Sequence, residues 1–198
     1  MSTRSLPFLT AIALSSLAVS CFAPGRAASV STVPDVPVSL SPYEVVHTDW
    51  KQRVEQPYVF LEILGEYSET GLHLNSLMHH VEAQGLRPTG PPFGLFFDDP
   101  SKVATQSLRS RLAIPVEGLA AAAPPLGFDL LPAANVLYSR VAGSYRNVSG
   151  AYPGMFDEMR GNGWVLLSPI REIYLVDPGQ VQSFDQLITE VQMPWRPL

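Results

Sequence analysis

The sequence predicts an α+β fold built from two copies of one βαββ unit, related by a pseudo-two-fold axis, with a groove between the halves. Three observations carry that prediction. The chain matches itself at an offset of 78 residues, strand-like and helix-like patterns alternate in the same order in both halves, and the Gly and Pro punctuation keeps step. At that offset "GEYS" (Gly65 to Ser68) meets "GSYR" (Gly143 to Arg146), Gly85 meets Gly163, and Pro91 meets Pro169. "FGLFFDDP" (Phe93 to Pro100) meets "REIYLVDP" (Arg171 to Pro178). One further residue of offset then pairs Leu108 with Leu187, Leu112 with Val191 and Pro115 with Pro194. A unit this short cannot bury its own sheet face, so two units must pack together.

In the first unit, 57–117, "YVFLEILGEY" is rich in β-formers and stops at Gly65. Leu74, Leu77, Met78 and Val81 then recur at i, i+3, i+4 and i+7, which marks one apolar helix face. Ser68 or Thr70 is the expected cap, and Gly85 and Pro88 end the helix. "PFGLFFDD" is the next strand, Asp99-Pro100 a turn, and "SLRSRLAIPV" the last strand. The second unit, 133–196, repeats the order with "NVLYSRVAG", a helix carrying Tyr152, Met155, Phe156 and Met159, "REIYLVD" and "LITEVQMPW". Asn147 or Ser149 is the expected cap of that helix. "EGLAAAAPPLGFDLLPA" reads as the connection between the copies.

Before the repeat, two other regions stand out. Residues 1–27 hold one early charge, Arg4, then an uncharged and mostly apolar run with "FLTAIALSSLAV" at its centre. That is the pattern of an export signal or a membrane anchor. "LAVSC" ends in Cys21, the only cysteine, and resembles a lipoprotein box that would place a lipid there; cleavage at "GRAAS" is the competing reading. The expected location is therefore exported, periplasmic or membrane-anchored, with membrane contact only through this segment or its lipid. Residues 28–56 are rich in Ser, Val and Pro and read as an extended linker, so the domain is expected over 57–198.

Composition narrows the function classes. Apolar residues make up 46% and charged ones 16%, which is the balance of a folded chain. A net charge of −5 with no Lys/Arg run speaks against nucleic acid as a partner. His73, His79 and His80 lack the spacing and companion carboxylates of a metal site, so no metal and no cofactor are expected. No phosphate loop, dinucleotide fingerprint or nucleophile elbow occurs in the sequence.

The run from "LPAANVLYSRVAGSYRNVSGAYPGMFDEM" through "REIYLVDPGQ" to "LITEVQMPW", with "GPPFGLFFDDPSKVATQSLRS" in the first half, resembles the GyrI-like small-molecule-binding domain. The same domain is the effector-binding module of several bacterial transcription regulators. The resemblance covers 57–197 and rests on the duplicated pattern, not on one motif. It implies binding of a small organic molecule, cationic or aromatic, with a carboxylate on the second copy's strand reaching an aromatic cleft. Glu172 lies at that position. Strand alternation puts Tyr174 on the same face, and the repeat makes Gly94 and Phe96 their mates. Tyr67 and Tyr145, paired by the repeat just before the helices, are expected as walls, and Trp195 as a cap over the opening. The bland alternative sends Glu172 to solvent or to Arg171 or Arg140.

The leading expectation is an exported binder with Glu172 as polar anchor. The alternative is a hydrolase of reactive small molecules, with Glu172 and the cleft tyrosines as general acid and base. An export-type segment stands where regulators of the family carry their DNA-binding element, which turns the expectation away from transcriptional control. No particular protein partner is read from the residues.

Overall fold

The computed structural model describes residues 36–118 and 122–198, all within the unit Pro34–Leu198. The signal or anchor reading of 1–27, Cys21 and the first part of the linker lie outside the described residues. Among the described residues no helix is long and apolar enough to cross a membrane.

The elements run β1 (Val38–Leu40), β2 (Asp49–Arg53), β3 (Gln56–Leu64), α1 (Leu74–Ala83), β4 (Phe93–Phe96), β5 (Arg109–Pro115) and β6 (Gly127–Leu131). They continue with β7 (Ala134–Ala142), α2 (Tyr152–Gly161), β8 (Trp164–Leu166), β9 (Ile170–Tyr174) and β10 (Ile188–Pro197). All the strands join one sheet, in the order β1-β7-β10-β9-β4-β5-β3-β6, with β2 also on β7 and β8 on β10. Among the described residues only the β1–β7 pairing is parallel.

The 78-residue spacing of the sequence recurs in the element bounds. Adding it to β3 gives β7, and adding it to α1 gives α2, residue for residue. β3 and β7 both end at a glycine, Gly65 and Gly143, with φ of 127° and 132°. That region is closed to most side chains, which is why both halves spell Gly here. Each of these amides donates to the strand entering from the far turn, Gly65 to Leu108 O and Gly143 to Leu187 O, both at 3.0 Å.

Two expectations are corrected. The stretch read as linker belongs to the sheet: β1 and β2 cover the outer edge of β7, and Tyr43 between them is buried and donates to Ala142 O at 2.9 Å. The prolines mark turns between strands too short to show an alternating pattern. The connection between the copies likewise contains a strand, β6, and β6 is β2 shifted by 78 residues. The pairing is crossed, since β2 of the first half lies on β7 and β6 of the second half lies on β3. Each half thus lends its first strand to the other.

The expected helix caps are also replaced. Residues 67–73 and 145–151 form 3-10 turns ahead of the helices, and neither helix start has a side-chain cap. Thr70 is instead buried, its hydroxyl 2.9 Å from that of Ser110.

Both helices lie on one face of the sheet. Leu77 and Val81 of α1 pack on Val59, Leu112 and Ile114, while Met155 and Met159 of α2 pack on Leu137, Val141, Val191 and Met193. Each such side chain contributes about 1.5–3 kcal/mol by leaving water. The other face carries its own apolar cluster of Tyr58, Phe93, Leu95, Ala113, Leu131 and Ile173.

Candidate functional site

β9 is an inner strand, antiparallel to β10 on one side and β4 on the other. A strand covered on both faces is expected to be apolar throughout. Glu172 breaks that rule: it is 7% exposed and points to the helix side, opposite Val191 on β10 and Gly94 on β4. The solvent-facing reading of Glu172 does not apply, and neither Arg171 nor Arg140 pairs with it. Arg171 lies on the other face of the sheet over the Phe93 ring, and Arg140 meets Glu190.

The partner of Glu172 is a residue that the sequence reading assigned to the helix core. The hydroxyl of Tyr152, the first residue of α2, donates to Glu172 Oε1 at 2.5 Å. Burial pushes the Glu172 carboxyl up to about 7, partly offset by the Tyr152 hydrogen bond, which favours the ionised form. Burial also raises Tyr152 well above the usual phenol range, and the Glu172 charge adds to it. The site is therefore a carboxyl that titrates near neutrality beneath a phenol that stays protonated.

Aromatic rings complete the surroundings in symmetric fashion. Tyr67 meets Phe96 at 4.9 Å between ring centroids, and their mates Tyr145 and Tyr174 meet at 4.6 Å. Tyr67 donates to Asp98 O and Tyr145 to Val176 O, both at 3.0 Å, and those two acceptors are again mates at the 78-residue spacing. These hydroxyls anchor the 3-10 turns to the strand ends. Burial raises all three remaining phenols, Tyr145 to about 12 with help from the Asp177 charge. Tyr67 and Tyr174 are near enough to Tyr152 for their charges to oppose its ionisation, which ties the group together.

The structure thus brings Glu172, Tyr174, Phe96, Tyr67 and Tyr145 to one place and adds Tyr152. Trp195 is not brought there. It sits toward the end of β10, stacked on Trp164 at 3.8 Å and edge-on to Trp50 at 6.2 Å. Tyr152 had a signal in the sequence: its mate is Leu74, so the halves differ there as they differ at Gly94 and Glu172. The two substitutions of polar for nonpolar residues touch each other.

An open groove of about 540 Å³ lies elsewhere, between α2 and β8, lined by Pro153, Phe156, Met159, Trp164 and Leu166. Its two charged residues, Asp157 and Arg160, pair with each other. Its charged residues are exposed, whereas Glu172 is a buried carboxyl with a single hydrogen-bond donor among the described residues.

The match to the GyrI-like small molecule binding domain spans residues 49–196, and the chain belongs to that family. The match begins at β2, in keeping with the corrected start of the domain. Among solved structures the chain resembles the C-terminal domain of EcmrR with a TM-score of 0.70 at 18% identity, over 78% of this chain and 99% of that one. It resembles SAV2435 bound to tetraphenylphosphonium with a TM-score of 0.51 at 12% identity, over 75% and 93%. It also resembles a hydrolase from Listeria innocua with a TM-score of 0.54 at 10% identity, over 75% and 91%. No curated protein matches the sequence. At these identities the structural likenesses speak to the fold.

Proposed function

We propose that this small-molecule-binding domain works outside the cytoplasm, carried there by the N-terminal segment, and holds an organic cation with aromatic character against Glu172. The observation that carries the reading is the buried carboxyl itself. Ionising it in place is costly unless a positive charge arrives. A cation would offset that cost, and Tyr67, Phe96, Tyr145 and Tyr174 would each add about 0.5–2 kcal/mol through their ring faces. Tyr152 covers the acid, so binding requires its hydroxyl to leave Glu172 or to turn toward the ligand. SAV2435, which shares the fold, is seen with tetraphenylphosphonium, a cation of this chemistry.

A second reading, hydrolysis of a reactive small molecule, is favoured by the 2.5 Å Tyr152–Glu172 contact, which pairs a proton donor with a carboxyl near neutrality. One titration separates the two. Wild type and Glu172→Gln are incubated with tetraphenylphosphonium and with neutral triphenylphosphine oxide, followed by thermal shift. Binding predicts a shift with the cation alone, lost in the variant. An equal shift with both compounds in both proteins overturns the role of Glu172. Consumption of an electrophilic ester or epoxide by wild type, abolished in the variant, would favour hydrolysis.

A further inference from the structure

Residues 41–48 lead from β1 to β2 and pass over the start of α2 as a strap. Two of its side chains seat where α2 and the turn before it carry none. A Cβ at Gly150 would lie 3.0 Å from the Tyr43 ring, and one at Gly154 would lie 2.9 Å from Val46 Cγ2 and 3.0 Å from Val46 Cβ. Tyr43 is buried with Val148, Ala151 and Met155, and Val46 packs against the same cluster. Tyr43 has a φ of 63°, a region that side chains seldom adopt, and its buried ring and its bond to Ala142 O hold the backbone there. Further along, His47 N donates to the buried Ser39 Oγ at 2.9 Å, which ties the strap to β1. Among the described residues no hydrogen bond joins the strap to α2, so its grip on the helix is packing alone.

The repeat does not dictate this arrangement. The mates of Gly150 and Gly154 are Leu72 and Ser76, both exposed, and a Cβ at Gly65, the mate of Gly143, would meet nothing within 4 Å. The equivalent loop before β6 meets α1 at its other end, where Gln84 donates to Ala123 O at 2.9 Å and accepts from Ala123 N at 2.8 Å. Only the second half thus has glycines shaped to receive a strap at its helix start. That helix start also needs outside support. It reads Tyr152-Pro153-Gly154, it has no side-chain cap, and a glycine inside a helix weakens it. Tyr152, whose hydroxyl covers Glu172, is the first residue of this turn.

We propose that the strap 41–48 is the closing device of the Glu172 site. Seated on Gly150 and Gly154, it holds the first turn of α2 and keeps Tyr152 over the acid. Lifted, it frees that turn and lets a ligand reach the carboxyl. Closure follows from the packing, while admission of a cation rests on the binding reading above. When only the open fraction of a protein binds, the apparent affinity is reduced by that fraction, so whatever weakens the strap's hold strengthens binding. Val46 is the main lever, because its two methyl groups fill the space over Gly154. Tyr43 is the hinge, fixed to β7 through Ala142.

The test uses the full chain and two mild variants. Val46→Ala shortens the side chain over Gly154, and Tyr43→Phe removes the bond to Ala142 O while keeping the ring. Leu72→Ala, at the exposed mate of Gly150, is the control. Without ligand, hydrogen exchange should quicken at the Phe156 and Asp157 amides, which close the first turn of α2, in both strap variants and not in the control. The carbon NMR midpoint of the Glu172 carboxyl should fall in the same variants, as water reaches the acid. Tetraphenylphosphonium should bind them severalfold more tightly than wild type. Exchange unchanged in both variants overturns the clamp, and an unmoved midpoint overturns closure over Glu172. Tetraphenylphosphonium held no more tightly by the variants than by wild type overturns control of binding by the strap. If it binds none of the proteins while exchange and midpoint move as expected, closure by the strap is supported and the cation reading is what falls.

Discussion

Gly94 and Glu172 face each other across β4 and β9, and each is also the other's mate in the repeat. The neighbouring register follows suit, with Phe93 opposite Ile173 and Leu95 opposite Arg171, so the axis relating the halves passes between Gly94 and Glu172. On an axis, identical residues would have to occupy the same central space twice. Here one half supplies a carboxyl and the other no side chain at all. The fold is symmetric, and its centre is where the symmetry is given up.

The missing side chain at Gly94 is a steric requirement. A Cβ there would lie 2.9 Å from the Phe96 ring and 2.9 Å from the Tyr174 hydroxyl. Gly94→Ala should therefore displace two of the site's rings and cost about 1–3 kcal/mol by overpacking. Urea unfolding measures the loss, and tetraphenylphosphonium affinity should fall with it. Unchanged stability and affinity would mean that the rings yield freely.

The raised Glu172 carboxyl fixes the sign of a pH effect. Its ordinary value is 4.5 and in the fold it titrates at about 7, so between these limits the folded state holds a proton that the unfolded chain has lost. Its contribution is fully present below about pH 4.5 and is lost as pH rises through about 7, by up to about 3 kcal/mol. Glu172→Gln should flatten stability across that window and be the more stable protein at pH 8. For the cation the sign reverses, because the ionised acid is the binding form. Affinity should rise as pH increases through about 7, with proton release visible by calorimetry in two buffers of different ionisation enthalpy.

Tyr152→Phe removes the only hydrogen-bond donor to Glu172 among the described residues while keeping the ring. That bond favours the ionised form, so its loss should lift the carboxyl further above neutrality. It should cost about 1–3 kcal/mol at alkaline pH, where the bare charge is exposed to burial, and little at pH 5. Carbon NMR of the labelled glutamate carboxyl reports the titration directly; an unshifted midpoint would show the bond to be incidental.

The repeat was legible in the sequence because glycines and prolines at equivalent turns serve the same backbone geometry in both halves. Gly65 and Gly143 share a positive φ, and Phe93–Phe96 and Arg171–Tyr174 each form a strand. Glu172 was legible as an acid in an apolar run. Tyr152 was marked only by its mismatch with its mate Leu74, because a tyrosine in a helical stripe has the same period whether it fills a core or meets a carboxyl. Trp195 misled for a related reason: alternation does place it on the helix side of β10, but alternation says nothing about distance along the strand. β1, β2 and β6 were missed because each has only three to five residues and owes its place to a partner strand, not to its own pattern.

The crossed pairing of β2 and β6 makes the first strand indispensable to the opposite half. A chain beginning at residue 57 would lack β1 and β2, leaving the outer edge of β7 without the strands that pair eight of its residues. It would also lose Tyr43 from the core beneath α2 and Lys51 from the buried carboxylate of Glu190. A chain beginning at residue 36 keeps all of these. The shorter protein is expected to aggregate or to show no cooperative thermal transition, and the longer one to melt cooperatively and run as a discrete species on size exclusion. Equal behaviour of the two would show that β7 does not need its borrowed strand, and that the domain begins at β3 after all.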